Sequence, residues 1–372
     1  VFLALREIRR AAVRFGLLMA SVGLLVFLIL FQQTLQNGLI TSFIGAIEHQ
    51  SAPVLVYSVD GRRNLQGSVI TPPMKEAIEG VDAVGRAARI GQGTFTMRSA
   101  AGPETAVIIG FEEPGLGAPT TLRAGRLPAT DGEAVALDTA PDGFGIGDTV
   151  AVEPGGLRLT VVGLASEIGY LAAPTLFTTY GTWEQAVRSA NPDATGALPS
   201  VIAVEPAAGR SPGSAARAIN AAVTEADALT RAEAVAETPG VAQVRQSFQL
   251  IFLLYGLVVP LVTGLFFLIV TLQKANSLTL LRALGVPGGR LVRSLLVQVS
   301  IVMAVGLGLG VALYSPLSSG TVGGLPLRFQ TGAVIFWAVV LFLLGLLSSL
   351  VSARRVLRID PIQATTGAGV GR

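Results

Sequence analysis

The side chains able to do acid, base or ligand chemistry are few in this sequence and widely spaced. There is one histidine, His49, and no cysteine, so neither a disulfide framework nor a thiolate metal site can form. His49 follows directly on a long apolar run, the setting of an ordinary interfacial histidine rather than of a general base or a ligand. The carboxylates Glu112, Glu113, Asp131, Glu133, Asp138, Asp142 and Asp148 are numerous but fall among glycine- and proline-rich turns, as solvated loop residues do. Nothing in their spacing favours an acid and base pair of the glycosidase kind. No G-x-x-x-x-G-K-[ST] run occurs, so the chain itself does not hold nucleotide in the P-loop manner. No catalytic residues, no metal ligands and no bound cofactor are therefore expected.

What must position so little chemistry is a membrane scaffold. The 372 residues are 51% hydrophobic and 14% charged, with a mean hydropathy of +0.62, too apolar for an ordinary soluble domain. Four stretches, 15–36, 247–273, 294–319 and 332–352, contain no charged residue. Each meets the roughly 20 residues that cross about 30 Å of hydrocarbon as a helix. A single charge at a helix centre costs about 2.5 to 3.5 kcal/mol on insertion scales, so their joint absence predicts four transmembrane helices.

The net charge of +3 is read as topological, with no nucleic-acid partner, because most basic residues lie beside the apolar runs or are scattered through the middle of the chain. Arg6, Arg9, Arg10 and Arg14 precede the first run, Lys274, Arg282, Arg290 and Arg293 separate the second and third, and Arg354, Arg355 and Arg358 follow the fourth. The loop 320–331 carries only Arg328. The positive-inside rule then puts both termini and the loop 274–293 in the cytoplasm, and residues 37–246 and 320–331 outside. Residues 1–14 carry Leu3, Ile8, Ala11 and Ala12 against a basic face, the pattern of an interfacial elbow helix or of a plain charged flank. The first run is expected to be an uncleaved anchor, being too long for a signal peptide and lacking a small-x-small site. Residues 353–372 form a cytoplasmic tail.

The outer segment, about two hundred residues of soluble composition, is long enough to bury its own core. It begins with a strand at 53–59 and a helix that Thr71 caps, with Pro72 and Pro73 in the first turn. From 91 to 179 short β-rich runs alternate with glycine and proline; then a strand at 200–204 and a helix from 214 to about 226 return the chain to the second span. The expectation is a membrane α-helical unit plus an α+β domain with a β-rich insertion. Its two ends run directly into the first two spans.

Four segments resemble one family in the right order. The stretch 122–163 carries Gly125 to Pro128, Gly132 to Val135, Gly145 to Asp148 and Val161 to Gly163, similar to the Gly-Arg-x-Pro, Gly-Glu-x-Val, Gly-x-Gly-Asp and Val-Val-Gly turns in the outer domain of MacB-like permeases. Between spans two and three NSLTLLRALG resembles their run ending Leu-Arg-Ala-Leu-Gly, with Asn276 and Ser277 standing where the family has arginine and glutamate, and Pro287-Gly288-Gly289 replacing a more basic stretch. The tail ARRVLRIDPIQA and the start LALREIRR complete the match. The sequence thus resembles the permeases of ABC transporters of the MacB, LolC and FtsX group, and the resemblance implies a MacB-periplasmic-like outer domain.

It also implies a bacterial inner-membrane subunit that partners an ABC ATPase and a second permease copy or related chain, with membrane lipids around it and with ATP and Mg on the ATPase. Ser277, Leu278, Leu280, Leu281, Arg282, Ala283, Leu284 and Gly285 would form the coupling helix that docks on that subunit. The implied activity is export or extraction of an amphipathic substrate (lipid, lipoprotein, peptide or drug) by mechanical transmission across the bilayer. The alternative is an FtsX-like regulator that activates an extracellular cell-wall hydrolase and moves no solute; a sensor without ATPase is a third reading. Pro260 removes a backbone donor in the second span and marks a candidate hinge or a static kink. Gly306 and Gly310 form a G-x-x-x-G face, suited to packing within the chain or at a dimer seam.

Overall fold

A computed structural model describes residues 6, 8–99, 102–139, 143–193, 196–273, 288–318, 321, 322 and 325–357. Along the chain, helix α1 spans Ala12–Glu48, strand β1 Val54–Ser58, α2 Pro72–Glu79, β2 Val84–Ser99, β3 Gly102–Phe111, β4 Leu122–Gly125, β5 Glu133–Leu137, β6 Thr149–Glu153, β7 Leu157–Ala165 and β8 Thr175–Thr179. There follow α3 (Tyr180–Ala190), β9 (Val201–Pro206), α4 (Pro212–Ala222), β10 (Ala226–Thr230), α5 (Arg231–Glu237), α6 (Val241–Gln273), α7 (Gly288–Leu317) and α8 (Thr331–Leu357). The chain divides into two compact units, residues 1–36 with 246–372, and residues 37–245.

The first unit holds four helices long and apolar enough to span a membrane, within Ala12–Glu48, Val241–Phe266, Val292–Leu317 and Thr331–Leu350. Its core runs down one side of α1, where Phe15, Leu18, Val22, Val26 and Ile29 recur at helical spacing and pack with Val259, Val299, Val302, Met303, Tyr314 and Leu341. Opposite faces stay apolar and exposed, as Leu253, Leu257, Leu261 and Leu265 do on α6; lipid tails cover such surface without cost. Helices α1 and α7 approach closely at Gly306 and Gly310. A Cβ on Gly306 would stand 2.6 Å from Cγ1 of Val22, and one on Gly310 2.6 Å from Cβ of Val26. Near one end of the spans the Thr34 and Tyr314 hydroxyls share a 2.5 Å hydrogen bond, and Tyr314 also donates to the Arg328 carbonyl at 3.2 Å.

In the second unit two subfolds share one long strand. β1, α2, β2, β9, α4 and β10 form a split βαβ arrangement, with sheet order β10-β1-β9-β2 and every ladder antiparallel. The period of two sorts side chains to opposite faces. Val54, Val56, Ile202 and Val204 meet Met74, Ile78 and Ile219 of α2 and α4, whereas Leu55, Tyr57, Val201 and Ala203 belong to a different core. Caps set the helix starts: Thr71 accepts from Met74 N and Ser211 from Ser214 N, each followed by proline at the first helical position.

Inserted between β2 and β9 is a barrel. β2 pairs with β3, β3 with β8, β8 with β5, β5 with β7, β7 with β6, and β6 again with β2, so the ladders close and remove the edges. Alternate residues, among them Met97, Ile108, Val152, Val161 and Leu176, form its buried cluster together with Trp183 of α3. The turn signature noted in the sequence borders it. Gly125 takes φ +74° at the end of β4, a region that costs other residues about 1–2 kcal/mol. Arg126 and Glu133 then form an ion pair, and Glu133 also accepts from the backbone N–H groups of Ala129 and Thr130. Likewise Asp148 Oδ2 accepts from Gly145 N at 2.7 Å, folding the Gly-x-Gly-Asp turn on itself.

Two expectations follow. Substituting alanine at both Gly306 and Gly310 should lower the unfolding midpoint in nanodiscs by overpacking, at about 1–3 kcal/mol per site, while Gly308→Ala, with nothing within 4 Å of its added Cβ, should be neutral or mildly stabilising; equal midpoints for all three would refute this helix contact. The hydrogen bond from Arg126, aided by that from Ala129, holds the Glu133 carboxyl down at about 2. A depressed carboxylate stabilises fully above its unfolded value near 4.5 and loses that contribution as pH falls towards 2. Melting curves of Glu133→Gln should therefore lie below wild type at pH 7 and converge with it between pH 4.5 and 2; curves that stay parallel would remove the clasp from the account.

Candidate functional site

The feature that joins sequence to action is the far end of α1. Its helix is 37 residues long, about 55 Å at 1.5 Å per residue, and continues well past the charge-free run 15–36. Its last turns belong to the outer unit, where Ile44, Ala46 and Ile47 are 1%, 3% and 1% exposed within the core that also takes Leu55, Tyr57, Val201 and Ala203. The helix end thus lies in the same core as the sheet face turned from α2 and α4.

The socket that receives it is the segment 166–173 between β7 and β8. Ala46 N donates to Gly169 O at 3.0 Å, Leu171 N to Phe43 O at 3.1 Å, and Ala172 N to Ser42 O at 2.9 Å. The chain accepts local strain to make these bonds. Glu167, Leu171 and Ala172 have φ of +63°, +55° and +54°, each costing about 1–3 kcal/mol that surrounding contacts must offset. Gly45 permits the approach, because a Cβ there would fall 3.0 Å from the Glu167 carbonyl carbon and nearer still to its oxygen. Past the helix, His49 O accepts from both Thr120 N and Thr120 Oγ1 at 2.8 Å, and Gln50 O from Arg231 Nη1 at 2.6 Å. These supply partners for carbonyls that a helix terminus leaves open.

His49 sits at this junction, its Nε2 3.6 Å from Glu167 Oε2, in a structural setting. The carboxylates singled out in the sequence are held apart on separate partners. Glu112 pairs with Arg89, Glu113 with Arg86, and Glu133 with Arg126. Asp131 accepts from Thr179 Oγ1 at 2.6 Å and Gln185 Nε2 at 2.9 Å, placing its charge at the start of α3, where the helix dipole favours it. Asp142 lies outside the described residues. Among the described residues no group of three His, Asp or Glu side chains is arranged for a metal ion.

Of the other sequence candidates, Pro260 lies within α6 and its carbonyl accepts from Ser348 Oγ of α8 at 2.6 Å. One turn on, Gly264 meets the same serine closely. That packing ties the proline region to its neighbour. Gly306 and Gly310 are at the α1–α7 contact within the chain. Ser277, Leu278, Leu280, Leu281, Arg282, Ala283, Leu284 and Gly285 lie outside the described residues. The socket itself was not foreseen. Its one available signal was Gly45, an isolated glycine inside a helical stretch, which points to close backbone approach.

No family model matches the chain. An uncharacterized ABC transporter permease of Mycobacterium tuberculosis is 24% identical over 369 residues, 99% of each chain. Two proteins named putative hemin transport system permease protein HrtB are also similar, from Staphylococcus epidermidis (26% over 111 residues, 30% of this chain and 32% of that protein) and Staphylococcus haemolyticus (29% over 110 residues, 30% and 31%). The chain therefore spans only about a third of the length of these hemin-named relatives. Among solved structures, the periplasmic region of MacB from Actinobacillus actinomycetemcomitans aligns with TM-score 0.36 at 12% identity, covering 50% of this chain and 91% of that one. The extracellular domain of the ABC-type transporter YknZ from Gram-positive bacteria aligns with TM-score 0.32 at 12% identity, covering 48% and 98%. With four helices apolar enough to span a membrane and a separate unit inserted between the first two, the chain is similar from end to end to an ABC transporter permease.

Proposed function

We propose that this chain is the permease subunit of an ATP-driven exporter or extractor in the bacterial inner membrane, with both termini cytoplasmic, which transmits motion of an ATPase partner to its outer domain and so moves an amphipathic substrate. One observation carries this reading: the unbroken helix α1 supplies residues to two separate cores, Phe15 to Leu30 in one and Ile44 to Ile47 in the other. A helix fixed at both ends by packed side chains passes on a displacement where a flexible linker would absorb it. The arginine-rich flanks support the orientation. Without a P-loop, the nucleotide and its Mg would sit on a separate subunit, reached through residues 277–285.

A route through a charged midplane site is disfavoured by the spans' composition, since 15–36, 247–273, 294–319 and 332–352 hold no ionisable charge. The substrate class is accordingly one handled beside or outside the bilayer: a lipid, lipoprotein, peptide or drug. Hemin, for which the Staphylococcus relatives are named, is a flat apolar ring carrying carboxylates and is the first compound to assay within that class.

Co-expression with candidate ATPase subunits tests the proposal. Wild type should copurify with one of them and raise its ATP hydrolysis, whereas the Leu281→Asp, Leu284→Asp double change should cut copurification at least tenfold with the thermal unfolding of the permease unaltered. Failure of every ATPase to bind, or full binding by the double variant, would count against the coupling assignment.

A further inference from the structure

On the outer domain, away from the α1 socket, α2 and α3 flank a cleft of about 310 Å³, within the range of small-ligand sites. Its walls come from both subfolds: Ile70, Thr71, Pro72 and Lys75 at the start of α2, Arg89 of β2, Glu112 after β3, Tyr180 at the start of α3, and the turn at Ala197, Leu198 and Pro199. Leu198 is 44% exposed, although Ile70 N binds Pro199 O at 2.9 Å and fixes the two segments together. An apolar side chain held open on a rigid frame suits an apolar ligand group.

The polar members are built with similar care. Glu112 takes the N–H of Arg89 at 2.8 Å, Nε at 3.1 Å and Nη2 at 2.8 Å. The guanidinium carbon stands 4.2 Å from the Tyr180 ring centre, a cation–π stack. Burial pushes the Glu112 carboxyl up, but the hydrogen bonds from Arg89 and the charges of Arg89 and Lys75 outweigh it and hold the group below its ordinary value. Glu112 is therefore an ionised acceptor already engaged by three donors, and the Tyr180 hydroxyl donates to Ala197 O at 3.3 Å. Guanidinium and ammonium groups have donors only; Arg89 bonds both Glu112 and the Tyr180 hydroxyl, whereas Glu79 takes one of the three N–H groups of Lys75. The surplus in the cleft is thus of donors. The field is moderate, because Glu79 lies 2.6 Å from Lys75 Nζ and Glu112 offsets Arg89, which suits a single negative charge better than a dianion. The start of α2 adds no free backbone donor: its first two residues are prolines, Met74 N binds Thr71 Oγ1 and Lys75 N binds Thr71 O.

We infer that this cleft is a binding site for a short apolar chain ending in a carboxylate, with Leu198 and Pro72 receiving the chain and Lys75 with Arg89 receiving the carboxylate. Two sources carry that chemistry, the end of an apolar peptide and a fatty acid. The site is independent of the ATPase reading, since its occupancy requires no partner subunit.

The test uses the full chain in nanodiscs with Trp337→Phe, leaving Trp183, whose ring centroid lies 5.1 Å from that of Tyr180, as the one tryptophan of the two in the sequence. Its fluorescence is titrated with acetyl-leucyl-leucine, with the C-terminal amide of that peptide, and with octanoate. Saturable binding of either carboxylate supports the site, the responding probe naming the source. The amide should bind at least tenfold more weakly than the acid. Leu198→Asp should abolish the response, and Arg89→Lys, which keeps the charge beside Glu112 and loses the planar stack, should weaken it at least fivefold, both with wild-type melting curves. Equal binding of acid and amide, insensitivity to both substitutions, or no saturable response to either carboxylate would overturn the assignment.

Discussion

A chain that enters a membrane and emerges into water must change its solvent partner without breaking its backbone hydrogen bonds, and a helix is the element that does so with every bond internal. Here the first helix does not stop where its charge-free run ends. It continues until Ile44, Ala46 and Ile47 are buried among strands of the outer domain. The elements around it are arranged to receive it. One face of the split βαβ sheet is left uncovered by α2 and α4, the 166–173 segment adopts left-handed backbone at Glu167, Leu171 and Ala172, and Gly45 gives up a side chain so that main chain can approach main chain.

The energetics favour that junction over the surface electrostatics around it. Burying a large aliphatic side chain is worth about 1.5–3 kcal/mol, so Ile44 and Ile47 together rival the strain of the three left-handed residues. By contrast, half-exposed ion pairs such as those of Arg86 with Glu113 and Glu205 contribute little each. The barrel is joined to this core through β2, which pairs with β9 at one end and with β6 at the other. The socket is itself the connection between barrel strands β7 and β8, so its displacement reaches the barrel directly.

Much of the architecture was legible because its signals are strong and local. Four charge-free runs, arginine-rich flanks, the Thr71-Pro72-Pro73 helix start and the alternating strands need no long-range information to be read. The Gly125 to Pro128 and Gly132 to Val135 turns were also legible as motifs, although their joint purpose, the Arg126 and Glu133 clasp, became clear only in three dimensions. Three things were hidden. Barrel closure depends on β2 meeting β6 across more than fifty residues, which no local pattern encodes. The short strand β10 and helices α3 and α5 went unread, α3 despite its amphipathic pattern, and so did the capping box of Thr230 and Glu233. The socket uses Glu167, Leu171 and Ala172 in a backbone region where glycine or asparagine is the usual signal, so composition gave no warning.

The central claim is that the end of α1 is an integral part of the outer domain's core, and native-state hydrogen exchange on the full chain in nanodiscs tests it most directly. The account predicts that amides of residues 43–48 exchange with the same slow opening as those of β1 and β9, because they can open only when that core opens. Exchange of 43–48 at the rate of a frayed helix end, with β1 and β9 still protected, would contradict it and leave the helix without its hold on the domain.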